Sequence, residues 1–197
     1  MILSIDSSLG TSVALVSVDG NTLAEASSSD QRAHAETVGP LIEQVLAEAG
    51  VGPDQVSAVV MGIGPGPFTG LRVGMAAAQT FAWARGLPLW PVVSHDALAL
   101  DADTPCVVWT DAKRREIAYS VYHSGDSGVR RIHGPALLER DALETLSDSW
   151  PEARVIEGTC IHAAALARVA LALRARGEEF PAPQALYLRA PDVTMPS

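Results

Sequence analysis

Residues 62–74 read Gly62-Ile63-Gly64-Pro65-Gly66-Pro67-Phe68-Thr69-Gly70-Leu71-Arg72-Val73-Gly74. An apolar run over 56–61 leads into this segment and an alanine-rich stretch over 76–84 leaves it. The pattern predicts a strand, a tight loop and a helix. Gly64 and Gly66 can take positive φ, while Pro65 and Pro67 fix φ at about −65° and donate no N–H. Such a loop is stiff, and its backbone can approach a phosphate or another protein closely. Thr69 is the expected N-cap of the helix, its hydroxyl turned back on the first free amides. Two phosphate-binding patterns fail here. A P-loop needs Gly-Lys-Ser/Thr where the chain has Thr69-Gly70-Leu71. The dinucleotide pattern needs a third glycine where Pro67 stands. On physics alone a tight turn feeding a buried helix accounts for the segment equally well.

Further elements are legible on either side. Residues 2–5 and 12–18 are apolar runs, Asp19-Gly20-Asn21 is a hairpin turn signal, and 23–29 reads as a third strand. Between the first two runs lies Asp6-Ser7-Ser8-Leu9-Gly10-Thr11-Ser12, a carboxylate at a strand end followed by hydroxyls and free amides. Asp and Ser also cap ordinary turns. Val38, Leu41, Ile42, Val45, Leu46 and Ala49 recur at helical spacing, so 35–49 is an amphipathic helix. Pro40 is tolerated only near a helix start, which predicts a start or a kink there. The helix over 71–85 has a small face, Gly70, Gly74 and Ala78, which admits either a partner helix or the chain's own sheet. Residues 89–93 form another strand, and 100–105 is the expected domain boundary. Beyond it, 106–111, 117–123, 129–133 and 153–157 read as strands and 161–176 as a helix, with Gly125-Asp126-Ser127-Gly128 a loop and 180–197 an extended tail. The basic turn Lys113-Arg114-Arg115-Glu116 joins two of these strands. A solvated turn and a contact to a phosphate or an acidic partner both fit it.

Gly-x-Gly-Pro-Gly-x-Phe-Thr-Gly-x-Arg-x-Gly resembles the signature of the TsaB (YeaZ) family, partner subunits in the bacterial synthesis of threonylcarbamoyladenosine on tRNA. The likeness runs through residues 2–8, 34–42, the central loop, 111–122 and Tyr187-Leu188-Arg189. One departure is Pro67, where the family has serine. The resemblance implies an α/β protein of the actin-like (ASKHA, ribonuclease H-like) two-lobed fold, with a reduced second lobe. The lobes are expected at 1–100 and 101–197. It also implies nucleotide-loop residues Asp6, Ser8, Gly10, Thr11, Gly64 and Gly66, and a partner surface with His34, Phe68, Thr69, Gly70, Arg72, Gly74 and Ala78.

The implied function is a non-catalytic subunit that dimerises with a TsaD-like catalytic subunit, with a TsaE-like ATPase joining a larger complex. A homodimer is the arrangement open to the isolated chain, and ATP or ADP is expected only with partners present. In TsaD the region near Ser94-His95-Asp96-Ala97-Leu98 carries a His-x-x-x-His metal pair. Ser94 and Leu98 fall at the matching positions, so no metal and no catalytic residue are expected.

The rival class is an enzyme, a small ATPase or a glycoprotease-like hydrolase. Neither Gly-x-Ser-x-Gly nor His-Glu-x-x-His is present, and His123, His133 and His162 are scattered. Net charge is −9 with pI near 4.9, which repels a phosphate backbone, so unaided strong tRNA binding is not expected. Cys106 and Cys160 lie far apart without a Cys-x-x-Cys pair, which excludes a zinc knuckle or dithiol site and predicts two buried reduced thiols of a cytoplasmic protein. Neither a signal peptide nor a membrane span of roughly 20 apolar residues is expected.

Overall fold

The computed structural model describes residues 1–30, 33–125 and 128–189. The expected tail beyond 189, and Asp126 and Ser127 of the expected loop, lie outside the described residues. Five strands open the chain, β1 (Ile2–Asp6), β2 (Thr11–Val16), β3 (Thr22–Ser28), β4 (Ala58–Gly62) and β5 (Leu89–Val92). They form one sheet in the order β3-β2-β1-β4-β5, antiparallel across β1, β2 and β3 and parallel from β1 to β4 to β5. Helices α1 (His34–Glu48) and α2 (Phe68–Arg85) supply the long connections that parallel strands require.

A second sheet repeats this connectivity without its fifth strand. Strands β6 (Cys106–Asp111), β7 (Glu116–Gly125), β8 (Gly128–Glu139) and β9 (Arg154–Gly158) run in the order β8-β7-β6-β9. Again the first three strands are antiparallel and the last is parallel to the first. The reduced second lobe is therefore a missing strand and a shortened helix. The seven-residue helix α4 (Leu143–Ser149) stands where the first lobe has the fifteen residues of α1.

Alternation of side chains divides the first sheet's core in two. Leu3, Ile5, Val13, Leu15, Val59 and Met61 face α1 and α2, while Ile2, Ala14, Val16, Ala58, Val60 and Val92 face the last helix, α5 (Ala163–Ala175). The short helix α3 (Ser94–Ala99) bridges the lobes, with Ala99 against Cys106, Val108 and Tyr122. A cut at 100/101 separates the sheets but not the packing, because α5 belongs to the core of the first lobe. The alanines of α5 explain this: Ala163, Ala164, Ala167 and Ala170 let the helix lie close on the sheet.

Pro40 lies inside α1, six residues beyond its start, and neither begins nor ends it. The residue is exposed and the buried stripe Val38, Leu41, Val45 and Leu46 continues past it, so packing outweighs the lost amide. Helix α2 starts at Phe68, three residues earlier than its apolar pattern implies.

Candidate functional site

Asp6, the last residue of β1, is buried at 1 % exposure. Its Oδ1 accepts hydrogen bonds from the Ser8 amide at 2.8 Å and the Ser8 hydroxyl at 2.5 Å. Its Oδ2 accepts from the Ser94 hydroxyl at 2.5 Å. Burial raises the Asp6 pKa above the ordinary carboxylate value, and the serine bonds offset part of that rise. Ser94 Oγ in turn accepts from the Gly64 amide at 3.0 Å, and the Ser94 amide donates to Gly64 O at 2.8 Å. The first hairpin, the glycine loop and the start of α3 are thus tied at one carboxylate.

The glycine loop sits directly on the hairpin. A Cβ on Gly66 would come within 2.7 Å of Ser8 Cα, so only glycine fits there. Of the two glycines able to take positive φ, Gly64 does so, at 95°, whereas Gly66 is needed for close approach instead. Asp6, Ser8, Gly64 and Gly66 therefore converge, with the Ser8 hydroxyl already spent on Asp6. Gly10 and Thr11 turn elsewhere. Gly10 packs on the β3 end at Ser28, and Thr11 Oγ1 lies 2.8 Å from His34 Nδ1.

Several of the expected partner-surface residues face inward. His34 is buried at 6 % exposure, and a Cβ on Gly70 would stand 2.5 Å from its Nε2. A Cβ on Gly74 would stand 2.3 Å from Ser7 Oγ. That hydroxyl donates to Gly70 O at 2.7 Å and accepts from the Gly74 amide at 3.0 Å. Ala78 is fully buried in the same core. The small-residue face of α2 is therefore where the helix meets its own hairpin and α1, which corrects the expectation of a docking groove along it. Thr69 is not the N-cap either: Pro67 holds that position and no side chain caps the helix.

Among the residues that α2 turns outward are Thr69, Arg72, Ala76, Thr80 and Trp83, the last 81 % exposed. Phe68 stacks on Tyr187 with ring centroids 4.8 Å apart. The Arg72 guanidinium lies 3.8 Å over the Phe68 ring, and its Nε donates to Tyr187 Oη at 2.5 Å. This clamp brings the C-terminal segment back over the loop, where the Leu186 amide donates to Ile63 O at 2.8 Å.

Between the lobes, a cleft of about 420 Å³ is bordered by Leu9, Pro67, Phe68, Lys113, Leu137 and Arg189 among others. Arg189 pairs with Glu116, and Lys113 with Asp111 at 2.9 Å. The basic turn that supplies Lys113 holds Lys113, Arg114 and Arg115 all at positive φ, a conformation L-residues rarely adopt in succession.

His95 and Asp96 point apart, as adjacent helical residues do. The buried His95 imidazole spans Ser120 Oγ and Thr110 Oγ1, each at 3.0 Å. Burial, helped by the charge of Arg131, pulls its pKa down to about 3. Asp96 accepts from Tyr122 Oη at 2.8 Å and from Arg131 Nε at 2.9 Å. Among the described residues no three His, Cys, Asp or Glu side chains group as a metal site.

Sequence reading missed the role of Ser94 toward Asp6 and of Ser7 toward α2. Ser94 lies 88 residues from Asp6, and no local pattern marks such a contact. Tyr187 was within reach, since it lies in one of the stretches that carry the family likeness.

Two actin-like lobes, with the first hairpin and the glycine loop closed on each other, define the class of protein. Comparison narrows it. The family model TsaD, tRNA N6-adenosine threonylcarbamoyltransferase, matches residues 21–187, and the chain belongs to that family, on its TsaB (YeaZ) side. The crystal structure of an uncharacterized protein from Pseudomonas aeruginosa, with similarity to peptidase YeaZ, superposes with TM-score 0.77 at 25 % identity. That match covers 95 % of this chain and 99 % of the other. An uncharacterized protein of Mycobacterium tuberculosis is 35 % identical over 176 residues, 86 % of this chain and 82 % of its own length. An uncharacterized protein of Mycobacterium leprae is 40 % identical over 141 residues, 70 % of this chain but 38 % of that protein. The Haemophilus influenzae tRNA threonylcarbamoyladenosine biosynthesis protein TsaB is 38 % identical over 95 residues, 46 % of this chain and 40 % of that one.

Proposed function

We propose that this chain is a non-catalytic partner subunit in the formation of threonylcarbamoyladenosine on tRNA. It pairs with a TsaD-like catalytic subunit and holds it competent to transfer threonylcarbamoyl onto adenosine 37 of tRNAs that read ANN codons. The observation that carries this reading is the 2.5 Å bond from Ser94 Oγ to Asp6 Oδ2. Ser94 stands where the resemblance places a metal histidine, and here it closes the carboxylate instead of opening a coordination site. The family membership and the TsaB relative from Haemophilus influenzae supply the reaction.

The outward face of α2, with Thr69, Arg72, Ala76, Thr80 and Trp83, is the docking surface in this reading. It replaces the buried Gly70, Gly74 and Ala78 face, while Phe68 keeps its place at the helix start. The partners supply the basic groove for tRNA, since a chain of net charge −9 is a poor phosphate binder. A TsaE-like ATPase joins the assembled pair, and ATP or ADP binds only there. The setting is the cytoplasm; no helix among the described residues is long and apolar enough to cross a membrane.

Gel filtration with light scattering tests the pairing. The purified chain mixed with a TsaD-like subunit is expected to elute as one 1:1 species. Two separate peaks at micromolar concentration would overturn it.

A further inference from the structure

Cys160 lies in the turn between β9 and α5, exposed to solvent, although both thiols were expected to be buried. Two residues on, His162 turns back so that its Nε2 is 3.7 Å from Cys160 Sγ. On the other side of the ring, Glu25 Oε2 of the edge strand β3 stands 3.6 Å from His162 Nδ1. That separation is too long for a hydrogen bond, but it sets the carboxylate beside the ring nitrogen that the thiol does not approach. Glu25 is itself fixed, because its Oε1 accepts from the Ala164 amide at 3.0 Å. The N-terminal end of α5, which begins at Ala163, adds partial positive charge beside the thiol.

We propose that Cys160, His162 and Glu25 form a reactive-thiol site that takes small disulfides into a mixed disulfide at Cys160. A thiolate is the attacking species, and an imidazole within reach of the sulfur can accept its proton as it attacks. The Cys160 proton passes to His162 Nε2, and the sulfur attacks one sulfur of the small disulfide. That S–S bond breaks as the new one forms. The departing half leaves as a thiolate and takes the proton from the imidazolium. One thiol and one disulfide become one disulfide and one thiol, with no other oxidant needed.

The other thiol of the chain is a built-in control. Cys106 is fully buried in β6, and burial pushes its pKa up to about 11, against a smaller lowering from Arg154. The reactive site lies on the α5 side of the first sheet, whereas α1 and α2 cover the other side. Modification therefore leaves the outward face of α2 open.

The test is incubation of the whole chain with glutathione disulfide at several pH values, followed by intact mass and peptide mapping. One adduct per chain is expected, on the peptide with Cys160, with Cys106 unmodified. His162→Gln is expected to react about tenfold more slowly near pH 7 and to approach the parent's rate as the pH is raised, where hydroxide rather than the imidazole takes the proton. Glu25→Gln keeps an oxygen for the Ala164 amide and is expected to slow the reaction by a smaller factor. Thermal melting of both variants reports whether each still folds. If His162→Gln melts early, the pH profile of Glu25→Gln decides the matter. Rates at neutral pH that are the same in the parent and the folded variant, or an adduct on Cys106, would overturn the proposal.

Discussion

Asp6 is buried, and its carboxylate is held by Ser8 and Ser94. Ser94→Ala would leave Oδ2 and the Gly64 amide without this partner in a buried setting, at about 1–3 kcal/mol of stability. For a chain of this size that corresponds to a fall in Tm of about 2–4 °C per kcal/mol, readable by calorimetry.

His95 gives a pH prediction with the opposite kind of group. Its folded pKa, about 3, lies below the ordinary value of 6.5, so the unfolded chain binds the proton more readily. The contribution is full above about 6.5 and is lost as pH falls toward 3. Asp6 and Asp96 are shifted upward by burial, so their contributions run the other way and grow on acidification. Comparing the pH dependence of melting in His95→Gln with that of the parent isolates the histidine. The variant is expected to lose less stability than the parent between pH 6.5 and 4. Parallel curves would mean that the imidazole is not held neutral.

At the scale of elements, α2 has two faces with different tasks. Gly74→Leu drives a side chain into Ser7 and is expected to cost about 1–3 kcal/mol in monomer stability. Trp83→Asp changes an outward residue and is expected to leave melting unchanged while weakening association with a TsaD-like subunit at least about tenfold. The reverse pattern, a stable Gly74→Leu chain that no longer associates, would restore the small face as the interface.

These elements also show what the sequence could and could not reveal. The strand runs along the chain, both long helices and the resemblance were legible, because alternation, helical spacing and glycine-proline punctuation are local. The inward direction of Gly70, Gly74 and Ala78 was not. A small-residue stripe reports close approach without naming the neighbour, and here the neighbours are His34 and Ser7, dozens of residues away. A helix start at Pro40 is absent for a related reason, since tertiary packing carries α1 through it. The exposure of Cys160 depends on how the turn before α5 meets β3, which no window of sequence contains.

For the molecule as a whole, the two sheets repeat one connectivity, the second having lost its fifth strand, and α5 returns to seal the first. Such a chain keeps the frame of the fold while its loop residues close on Asp6. On the proposed reading the chain activates a partner rather than performing transfer. Transfer of labelled threonylcarbamoyl to tRNA, measured for this chain, a TsaD-like subunit, and both with a TsaE-like ATPase and ATP, tests it most directly. No transfer is expected from this chain alone, little from the TsaD-like subunit alone and sustained transfer from the combination. Transfer by the isolated chain, or a combination no faster than the TsaD-like subunit with the ATPase, would contradict it.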